Sequence, residues 1–417
     1  MAGVTAALAL LFLEGCLRVV EAVSRRDWAV SPLPDHPTWQ VLCSSGDELV
    51  LCPDRGPAYE RVRPVRFAAT PSRPRVVTIG ESFVFGLGLD EADAWPARLG
   101  AALPEVEVLN FGRCGTYAGR LIAVLDAALA VHPDIVVLSV GNNEHTMTSY
   151  FTGPAARHPL LTYTLLRSLG GVRIYGVLHG LLAPPHVAEA FEVPPGPMED
   201  DRDRLVRAAR RRPPDLAAFG DLPLAGREVT AALEEEQRLK ERIYADWMHE
   251  MVRRTRAAGA VPILTTLPGE LTAPPTLSGV HDGDEARVRT LYAQLRQGGG
   301  DHDAIVAAGL AEDPKVAQFL YDRGMQLLHA QRRVDAATTL REAVEWEMIP
   351  DMTPSLNRIV REIAADEGCV LVDLDTLSDT ALDNPGAVFL DRVHVNTSGA
   401  EAVARMLAPA VQAEISR

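Results

Sequence analysis

Short apolar runs that end in turn residues alternate along the chain with segments of helical spacing. β-branched and aliphatic residues dominate five of these runs, at about 74–80, 106–111, 134–140, 261–266 and 369–373. Apolar residues recur at helical spacing over 94–102, 118–131, 229–258 and 399–415. Strands that alternate with helices predict right-handed crossovers and a parallel sheet covered on both faces. We therefore expect an α/β fold.

Polar or turn residues follow three of the predicted strands where each one ends. Ser82 follows the first strand, Gly112 the second and Asn143 the third. Because the carboxyl ends of parallel strands meet at one edge of a sheet, we expect the three residues to lie close together. The backbone N–H groups of Ser82 and Gly112 and the side-chain amide of Asn143 would then point at one oxygen. That is the donor set of an oxyanion hole.

A carboxylate and a histidine, Asp391 and His394, lie three residues apart near the other end of the chain. A serine hydroxyl is a weak nucleophile until a base takes its proton, and the base works best when a carboxylate fixes its tautomer. Ser82, Asp391 and His394 therefore predict the triad of a hydrolase or an acyltransferase. Singly, Ser82 could be a helix N-cap, Asn143 a turn residue and His394 the start of the last helix. Their joint presence in this order favours a catalytic site.

With Ser82, Gly112, Asn143 and His394 in this order, the sequence resembles the SGNH (GDSL-type) hydrolase family over about residues 74–153 and 350–415. The resemblance implies a flavodoxin-like three-layer α/β/α sandwich. It also implies that Ser82 is the nucleophile, His394 the base and Asp391 the group that orients the base, with Gly112 and Asn143 as oxyanion donors beside the N–H of Ser82.

Two motifs depart from the family pattern. The usual Gly-Asp-Ser-Leu is Gly-Glu-Ser-Phe at 80–83, and the usual Gly-x-Asn-Asp is Gly-Asn-Asn-Glu at 141–144. Both departures keep an acid, so we expect them to alter the packing of the loops and to leave the nucleophile in place.

Three parts of the SGNH core, 74–153, 229–282 and 350–417, are separated by two additional segments. Residues 155–228 follow the strand that ends at Asn143, and this position predicts a cap or lid over the site. The alternative is a buried helical hairpin. Residues 283–349 predict helices that resemble one tetratricopeptide pair, packed on the core or on a protein partner. The positions that carry this resemblance are Leu320, Gly324, Leu327, Ala336, Leu340 and Ala343.

The N-terminal part divides into an apolar segment, 1–23, and a segment rich in Pro, Arg and Ser, 24–73. Glu14 and Arg18 interrupt the first at i,i+4 spacing, where they could pair. By resemblance to membrane-anchored bacterial SGNH-like proteins, we expect residues 1–23 to anchor an extracytoplasmic catalytic domain in the cell envelope. The alternative is an amphipathic helix of a cytoplasmic protein. Residues 24–73 are expected to form a stalk or an edge segment, with a β-like run at 48–51.

Composition limits the partners. A net charge of −15 argues against nucleic acid or an anionic lipid surface as a partner of the bulk protein. Cys43 and Cys52 are close enough in sequence to bridge a short loop in an oxidising compartment, whereas Cys16, Cys114 and Cys369 are expected to be buried thiols. No Cys/His cluster has metal-ligand spacing, so neither a metal nor another cofactor is predicted.

Three functions agree with these observations. The first is hydrolysis of an acyl or acetyl ester on a small molecule or glycan. The second is O-acetylation of an envelope polysaccharide through the same acyl-enzyme. Two features favour it: the predicted anchor, and a similarity of the region after residue 350 to alginate acetylation proteins. The third is a scaffold that has lost catalysis and binds a protein through the helical insertion. The presence of every catalytic residue type argues against the scaffold.

Overall fold

The computed structural model describes residues 12–20, 42–45, 48–51, 66–144, eight residues between 163 and 177, 224–298, 300–348 and 354–417. Two compact units divide the chain. One consists of Met1–Pro37 and Thr148–Pro194, and the other of Thr38–Met147 and Pro195–Arg417. All the predicted site residues belong to the second unit.

In the first unit, residues 12–20 form a helix, α1. Glu14 accepts a hydrogen bond from Nε of Arg18 at 3.0 Å, so the i,i+4 pair predicted from the sequence is present. The other carboxylate oxygen of Glu14 accepts from the backbone N–H of Ile174 at 3.1 Å. Phe12 and Val19 of α1 are exposed. The first unit thus includes parts of both the predicted anchor and the predicted cap.

No helix within the described ranges is long and apolar enough to cross a bilayer. Residues 1–11 and 21–23 of the predicted anchor, and most of the predicted cap, lie outside those ranges. The anchor, the cap and the cell-envelope location therefore stay predictions.

The second unit follows the predicted alternation of strands and helices. Its strands are β1 Leu42–Ser45, β2 Glu48–Leu51, β3 Arg66–Ala68, β4 Arg75–Gly80, β5 Glu107–Asn110, β6 Ile135–Ser139, β7 Leu224–Ala225, β8 Val261–Thr265, β9 Ser278–Gly279 and β10 Val370–Val372. Its helices are α2 Ser82–Phe85, α3 Trp95–Ala102, α4 Ala118–Leu129, α5 Arg227–Ala257, α6 Glu285–Gln297, α7 His302–Glu312, α8 Ala317–His329, α9 Arg333–Glu345, α10 Pro354–Glu367, α11 Thr376–Thr380 and α12 Thr397–Ile415. The observed bounds of the core elements differ from the predicted ones by two residues at most.

Five strands form the central sheet in the order β10-β8-β6-β4-β5, and every neighbouring pair is parallel. Numbered along the chain, the strands lie in the order 5-4-3-1-2, which is the flavodoxin-like arrangement. The strand order reverses between β4 and β6, where Gly80 lies opposite Ser139. Ligand sites of such sheets lie at this reversal, beyond the carboxyl ends of the strands.

Helices cover both faces of the sheet, which gives the expected three layers. On one face α3 packs against α12, and Trp95, Leu99 and Leu407 join the sheet residues in one core. On the other face α4 and α10 pack against α5. Gly119 of α4 allows close approach of α5, because a Cβ atom there would lie 2.3 Å from the Trp247 ring. The predicted fold class is confirmed.

Two small sheets accompany the core. Strands β1, β2 and β3 form an antiparallel sheet, and β2 is the predicted run 48–51 within the segment expected to be a stalk or an edge. Strands β7 and β9 pair in parallel, with Leu224 opposite Ser278, just before α5 and the helical insertion.

The insertion 283–349 consists of helices α6 to α9, as predicted. Helices α8 and α9 pack closely because Gly324 has no side chain; a Cβ atom there would lie 2.6 Å from the side chain of Leu340. The six positions that carry the tetratricopeptide resemblance are all buried. The packed helix pair is therefore present, whereas its assignment as a tetratricopeptide repeat stays a prediction.

The cysteines differ in part from expectation. Cys114 is buried as predicted, but Cys16 is exposed and Cys369 partly exposed, so the expectation for these two was wrong. Cys16 lies on α1, whose apolar residues face outward. Cys369 precedes the edge strand β10, and its Sγ accepts a hydrogen bond from Arg256 at 3.3 Å. Cys52 lies outside the described residues, so its pairing with Cys43 stays a prediction.

Candidate active site

A sharp turn at the end of β4 places Ser82 at the first position of α2. The turn requires glycine at position 80, because a Cβ atom there would lie 2.1 Å from the carbonyl oxygen of Ser139. The N–H of Phe85 donates to the carbonyl of Glu81 at 2.9 Å and closes the turn. Ser82 is only 5% exposed. The nucleophile candidate is therefore held rigidly at the reversal of strand order.

The loop before α12 positions Asp391 and His394. An antiparallel bridge between Phe389 and Val395 closes this loop. One oxygen of Asp391 accepts from the backbone N–H groups of Val393 and His394, at 3.0 and 2.8 Å. Burial by itself would raise the pKa of Asp391, but the His394 ring and these two N–H groups outweigh it and lower the pKa below its usual range. Asp391 is thus held as a carboxylate.

Ser82, His394 and Asp391 form one hydrogen-bonded chain. Nε2 of His394 lies 2.7 Å from Oγ of Ser82. Nδ1 of His394 lies 2.9 and 2.8 Å from the two carboxylate oxygens of Asp391. Because the carboxylate can only accept, Nδ1 carries the hydrogen and Nε2 accepts from the serine hydroxyl. The structure therefore brings Ser82 together with His394, 312 positions further along the chain, and with Asp391; their catalytic roles stay predictions.

Gly112 lies beside the nucleophile turn, but its N–H is engaged locally. It donates to Oδ1 of Asn110 at 2.8 Å, and Nδ2 of Asn110 donates to the carbonyl of Val84 at 2.9 Å. A side chain at position 112 would lie 2.3 Å from the N atom of Phe85, so glycine is needed for this close packing. As an oxyanion donor, the Gly112 N–H would have to share or release its bond to Asn110. That role stays a prediction.

Asn143 lies in the loop that follows β6, and β6 is the strand next to β4 in the central sheet. Tyr244 of α5 donates to the carbonyl of Val140 at 2.7 Å, and the N–H of Gly141 donates to the carboxylate of Glu81 at 2.9 Å. Gly141 has a φ of +135°, a conformation that favours glycine. The loop is thus fixed immediately before Asn143, whose Nδ2 atom is buried.

Glu81 and Glu144, the two residues that differ from the family motifs, are both buried acids. Glu144 accepts from the backbone N–H of Ala118, at the start of α4, at 2.9 Å. Burial raises the pKa of both carboxyl groups, and the charge of Glu81 raises that of Glu144 further. The sequence predicted that these residues alter the packing of the loops; it did not predict that both acids are buried.

Sequence reasoning also missed Arg392, which lies between Asp391 and His394. Its guanidinium forms a two-pronged ion pair with Glu347, at 2.7 and 3.1 Å, and contacts Thr276 at 3.0 Å. The Glu347 side chain is 1% exposed. Because Glu347 follows α9, the helical insertion holds the loop that carries the candidate base. A charged residue two positions before the histidine was the one available signal, and it does not identify a partner.

Within the ranges described above, no group of three or more His, Cys, Asp or Glu side chains is placed to hold a metal ion. The chemistry of the site is that of a hydroxyl, an imidazole and a carboxylate in line, which is the arrangement needed for nucleophilic acyl transfer.

Residues 78–258 match the model of the GDSL-like Lipase/Acylhydrolase family. The match covers less than half of the 417 residues and includes Ser82, Gly112 and Asn143. Asp391 and His394 lie beyond it. This segment of the chain is therefore similar to the GDSL-like Lipase/Acylhydrolase family. No curated protein matches the chain in sequence.

Several solved structures of esterases and lipases resemble the chain. A lipase/acylhydrolase from Enterococcus faecalis is 11% identical, with 82% of this chain and 96% of that one covered and a TM-score of 0.34. An acetyl xylan esterase variant from Geobacillus stearothermophilus is 15% identical, with 83% and 96% covered and a TM-score of 0.34. A member of the lipolytic protein G-D-S-L family from Veillonella parvula DSM 2008 is 10% identical, with 81% and 98% covered and a TM-score of 0.36. At these scores the likenesses identify neither substrate nor reaction.

Proposed function

We propose that the protein is a serine esterase that cleaves an acyl or acetyl ester through a covalent acyl-enzyme. The observation that carries this proposal is the continuous hydrogen-bonded chain from Ser82 through His394 to Asp391. The family match of the segment that contains Ser82 supports it independently.

In the first step, Oγ of Ser82 attacks the ester carbonyl while Nε2 of His394 takes the hydroxyl proton. Asp391 stabilises the imidazolium that forms and keeps its Nδ1–H directed at the carboxylate. The N–H of Ser82 and the side-chain amide of Asn143 stabilise the oxyanion, joined by the N–H of Gly112 when its bond to Asn110 is shared. His394 then gives its proton to the leaving alcohol.

In the second step, water attacks the acyl-enzyme with His394 as the base, and Ser82 regains its proton. If a sugar hydroxyl took the place of water, the same steps would transfer the acyl group to a glycan. Incubation with p-nitrophenyl acetate and oligosaccharides, followed by mass spectrometry, separates the two outcomes: free acetate alone identifies hydrolysis.

The substitution Ser82→Ala tests the proposal directly. We expect the variant to lose reaction with a fluorophosphonate probe and to hydrolyse p-nitrophenyl acetate at least about 10³-fold more slowly than the native protein. Ser378→Ala is a matched control, because Ser378 is also buried and lies in the same unit but donates no proton to His394. Equal rates for the native protein and Ser82→Ala would overturn the proposal.

A further inference from the structure

Asn110 lies beside the nucleophile turn, and the proton transfers described above give it no role. It is the last residue of β5, and Thr78 of β4 lies opposite it. The N–H of Phe111 donates to the carbonyl of Thr78 at 2.9 Å, and the N–H of Arg113 donates to the carbonyl of Gly80 at 2.9 Å. These bonds fix the backbone that follows Asn110 against the end of β4, where the nucleophile turn begins.

The side-chain amide of Asn110 bonds to two separate pieces of backbone. Nδ2 donates to the carbonyl of Val84 at 2.9 Å and, more weakly, to that of Phe85 at 3.4 Å. Oδ1 accepts from the N–H of Gly112 at 2.8 Å. These partners determine the orientation of the amide, because a carbonyl can only accept and a backbone N–H can only donate. One side chain therefore connects the end of α2 to the segment that follows β5.

Helix α2 needs such a contact because it has only four residues, Ser82–Phe85. A single helical turn forms few hydrogen bonds for the residues that it orders, and the last carbonyls of any helix have no partner within it. Val84 and Phe85 carry the last two carbonyls of α2, and Asn110 binds both. Asn110 thus completes the end of the helix whose first residue is Ser82.

Close packing and the short length of α2 transmit this contact to the nucleophile. A Cβ atom at Gly112 would lie 2.3 Å from the N atom of Phe85 and 2.7 Å from the carbonyl carbon of Val84, so α2 lies directly on the segment after β5. At 1.5 Å per residue, α2 is only about 6 Å long. A displacement of its end would therefore move Ser82, whose Oγ lies 2.7 Å from Nε2 of His394.

We infer that Asn110 is a positioning residue of the reaction: its amide holds α2 against the end of β5 and so keeps Oγ of Ser82 in line with His394. The inference rests on the proposed function. Of the two amide atoms, Nδ2 carries this role, because it bonds to the carbonyls of α2. Oδ1 orients the amide through its bond to Gly112.

Two substitutions at position 110 remove the donor in different ways. In Asn110→Ser the short side chain can still accept from the N–H two residues further on, but it cannot reach Val84. In Asn110→Asp one carboxylate oxygen can accept from Gly112, and the other takes the place of Nδ2 opposite the carbonyl of Val84. At about pH 8 we expect kcat for p-nitrophenyl acetate to fall about 10- to 100-fold in both variants, with KM within about threefold, because small displacements of the nucleophile are costly.

The pH dependence of Asn110→Asp distinguishes positioning from a general loss of stability. A protonated carboxyl group has an O–H that can donate to the Val84 carbonyl, whereas the ionised group faces that carbonyl with a second acceptor. The ratio of kcat in Asn110→Asp to kcat in the native protein should therefore rise at least about fivefold as pH falls from about 8 to about 4.5. The same ratio for Asn110→Ser should stay constant, because serine does not titrate in this range.

Asn357→Ser is the matched control. Asn357 of α10 is buried, and its amide also bonds to backbone on both sides. It accepts from the N–H of Leu267 at 2.8 Å and donates to the carbonyl of Leu267 at 2.9 Å. Because neither bond is to α2, we expect a lower melting temperature with kcat within about threefold of the native value. Circular dichroism of each variant at each pH of the assay checks the fold.

Three results would overturn the inference. The first is a kcat within about threefold of the native value in both Asn110 variants. The second is a pH-independent ratio in Asn110→Asp, and this measurement still decides the question if Asn110→Ser fails to fold. The third is a loss of kcat in Asn357→Ser as large as that in Asn110→Ser. Failure of the proposed function looks different, because the native protein itself then neither reacts with the fluorophosphonate probe at Ser82 nor hydrolyses the ester.

Discussion

At the scale of single residues, Asp391 has two separable tasks. One of its oxygens accepts from backbone N–H groups of its own loop, and both oxygens face the His394 ring. In Asp391→Asn the amide oxygen can still accept from the backbone. The NH₂ group cannot accept from Nδ1 of His394, so the ring takes the other tautomer and Nε2 can no longer receive the proton of Ser82. We expect kcat for ester hydrolysis to fall about 10²- to 10⁴-fold.

A matched control is Asp379→Asn, because Asp379 pairs with Arg341 at 2.7 Å and no hydrogen bond or ion pair within the described part of the chain joins it to Ser82, Asp391 or His394. Its steady-state kinetics should match those of the native protein. Circular dichroism of both variants checks the fold. A kcat in Asp391→Asn within threefold of the native value would contradict the role of Asp391 as the group that orients the base.

The sequence predicted the juxtaposition of Ser82, Asp391 and His394 because each follows from its own motif and from parallel strand topology. It did not predict that the N–H of Gly112 bonds to Asn110, or that Glu81 and Glu144 are buried and bond to backbone N–H groups. These bonds depend on the orientation of side chains inside packed loops, and neither apolar periodicity nor residue spacing carries that information.

At the scale of elements, the helical insertion supports the loop that carries His394. Arg392 joins Glu347 in a two-pronged ion pair, and the carbonyl of Arg392 accepts from the N–H of Glu270 at 2.9 Å. Arg392→Met would leave the Glu347 carboxylate buried without its cation. We expect the free energy of unfolding in urea to fall by about 2–4 kcal/mol, and kcat to fall about tenfold, because small displacements of the base are costly.

Arg358→Met is the matched control for this element. Arg358 pairs with Glu362 on the surface of α10, and both side chains are more than half exposed. Such pairs contribute little, so the loss should be below about 0.5 kcal/mol with unchanged kcat. If Arg392→Met behaved like this control, the insertion would have no part in holding the loop.

The core elements were predictable within two residues because each buried strand is a continuous apolar run between turn residues. The helices of the insertion were predictable because their apolar positions recur at helical spacing. The pairing of β7 with β9 was not, because two-residue strands have no periodicity. The ion pair between Glu347 and Arg392 was not predictable either. It joins two charged residues 45 positions apart, and no pattern in the sequence distinguishes them.

At the scale of the whole molecule, ionisable groups act on stability in two opposite directions. Some carboxylates have a lowered pKa, among them Asp373, Glu250 and Asp391. Burial alone would raise the pKa of each, but the hydrogen bonds and positive charges of its partners lower the pKa by more. A lowered pKa in the folded state stabilises the protein above the ordinary values, 3.8 for Asp and 4.5 for Glu, and this contribution is lost as pH falls.

Buried acids act in the other direction. Burial raises the pKa of Glu81, Glu144, Glu345 and Asp322. A raised pKa means that the folded state holds protons that the unfolded chain has released, so stability falls as pH rises above the ordinary value of 4.5 for Glu. The net charge of −15 adds self-repulsion, which grows over the same range.

Because stability is lost both at low pH and at high pH, we expect its maximum on the acid side of neutrality. We expect the free energy of unfolding, measured by urea titration across the pH range, to be largest between about pH 4.5 and 6 and to decline steadily above it. Repeating the titration in about 0.5 M NaCl should flatten the part due to surface repulsion and leave the part due to buried acids, because salt screens exposed charges far more than buried ones. A maximum above pH 8 would show that the buried acids ionise without cost, and would contradict their burial.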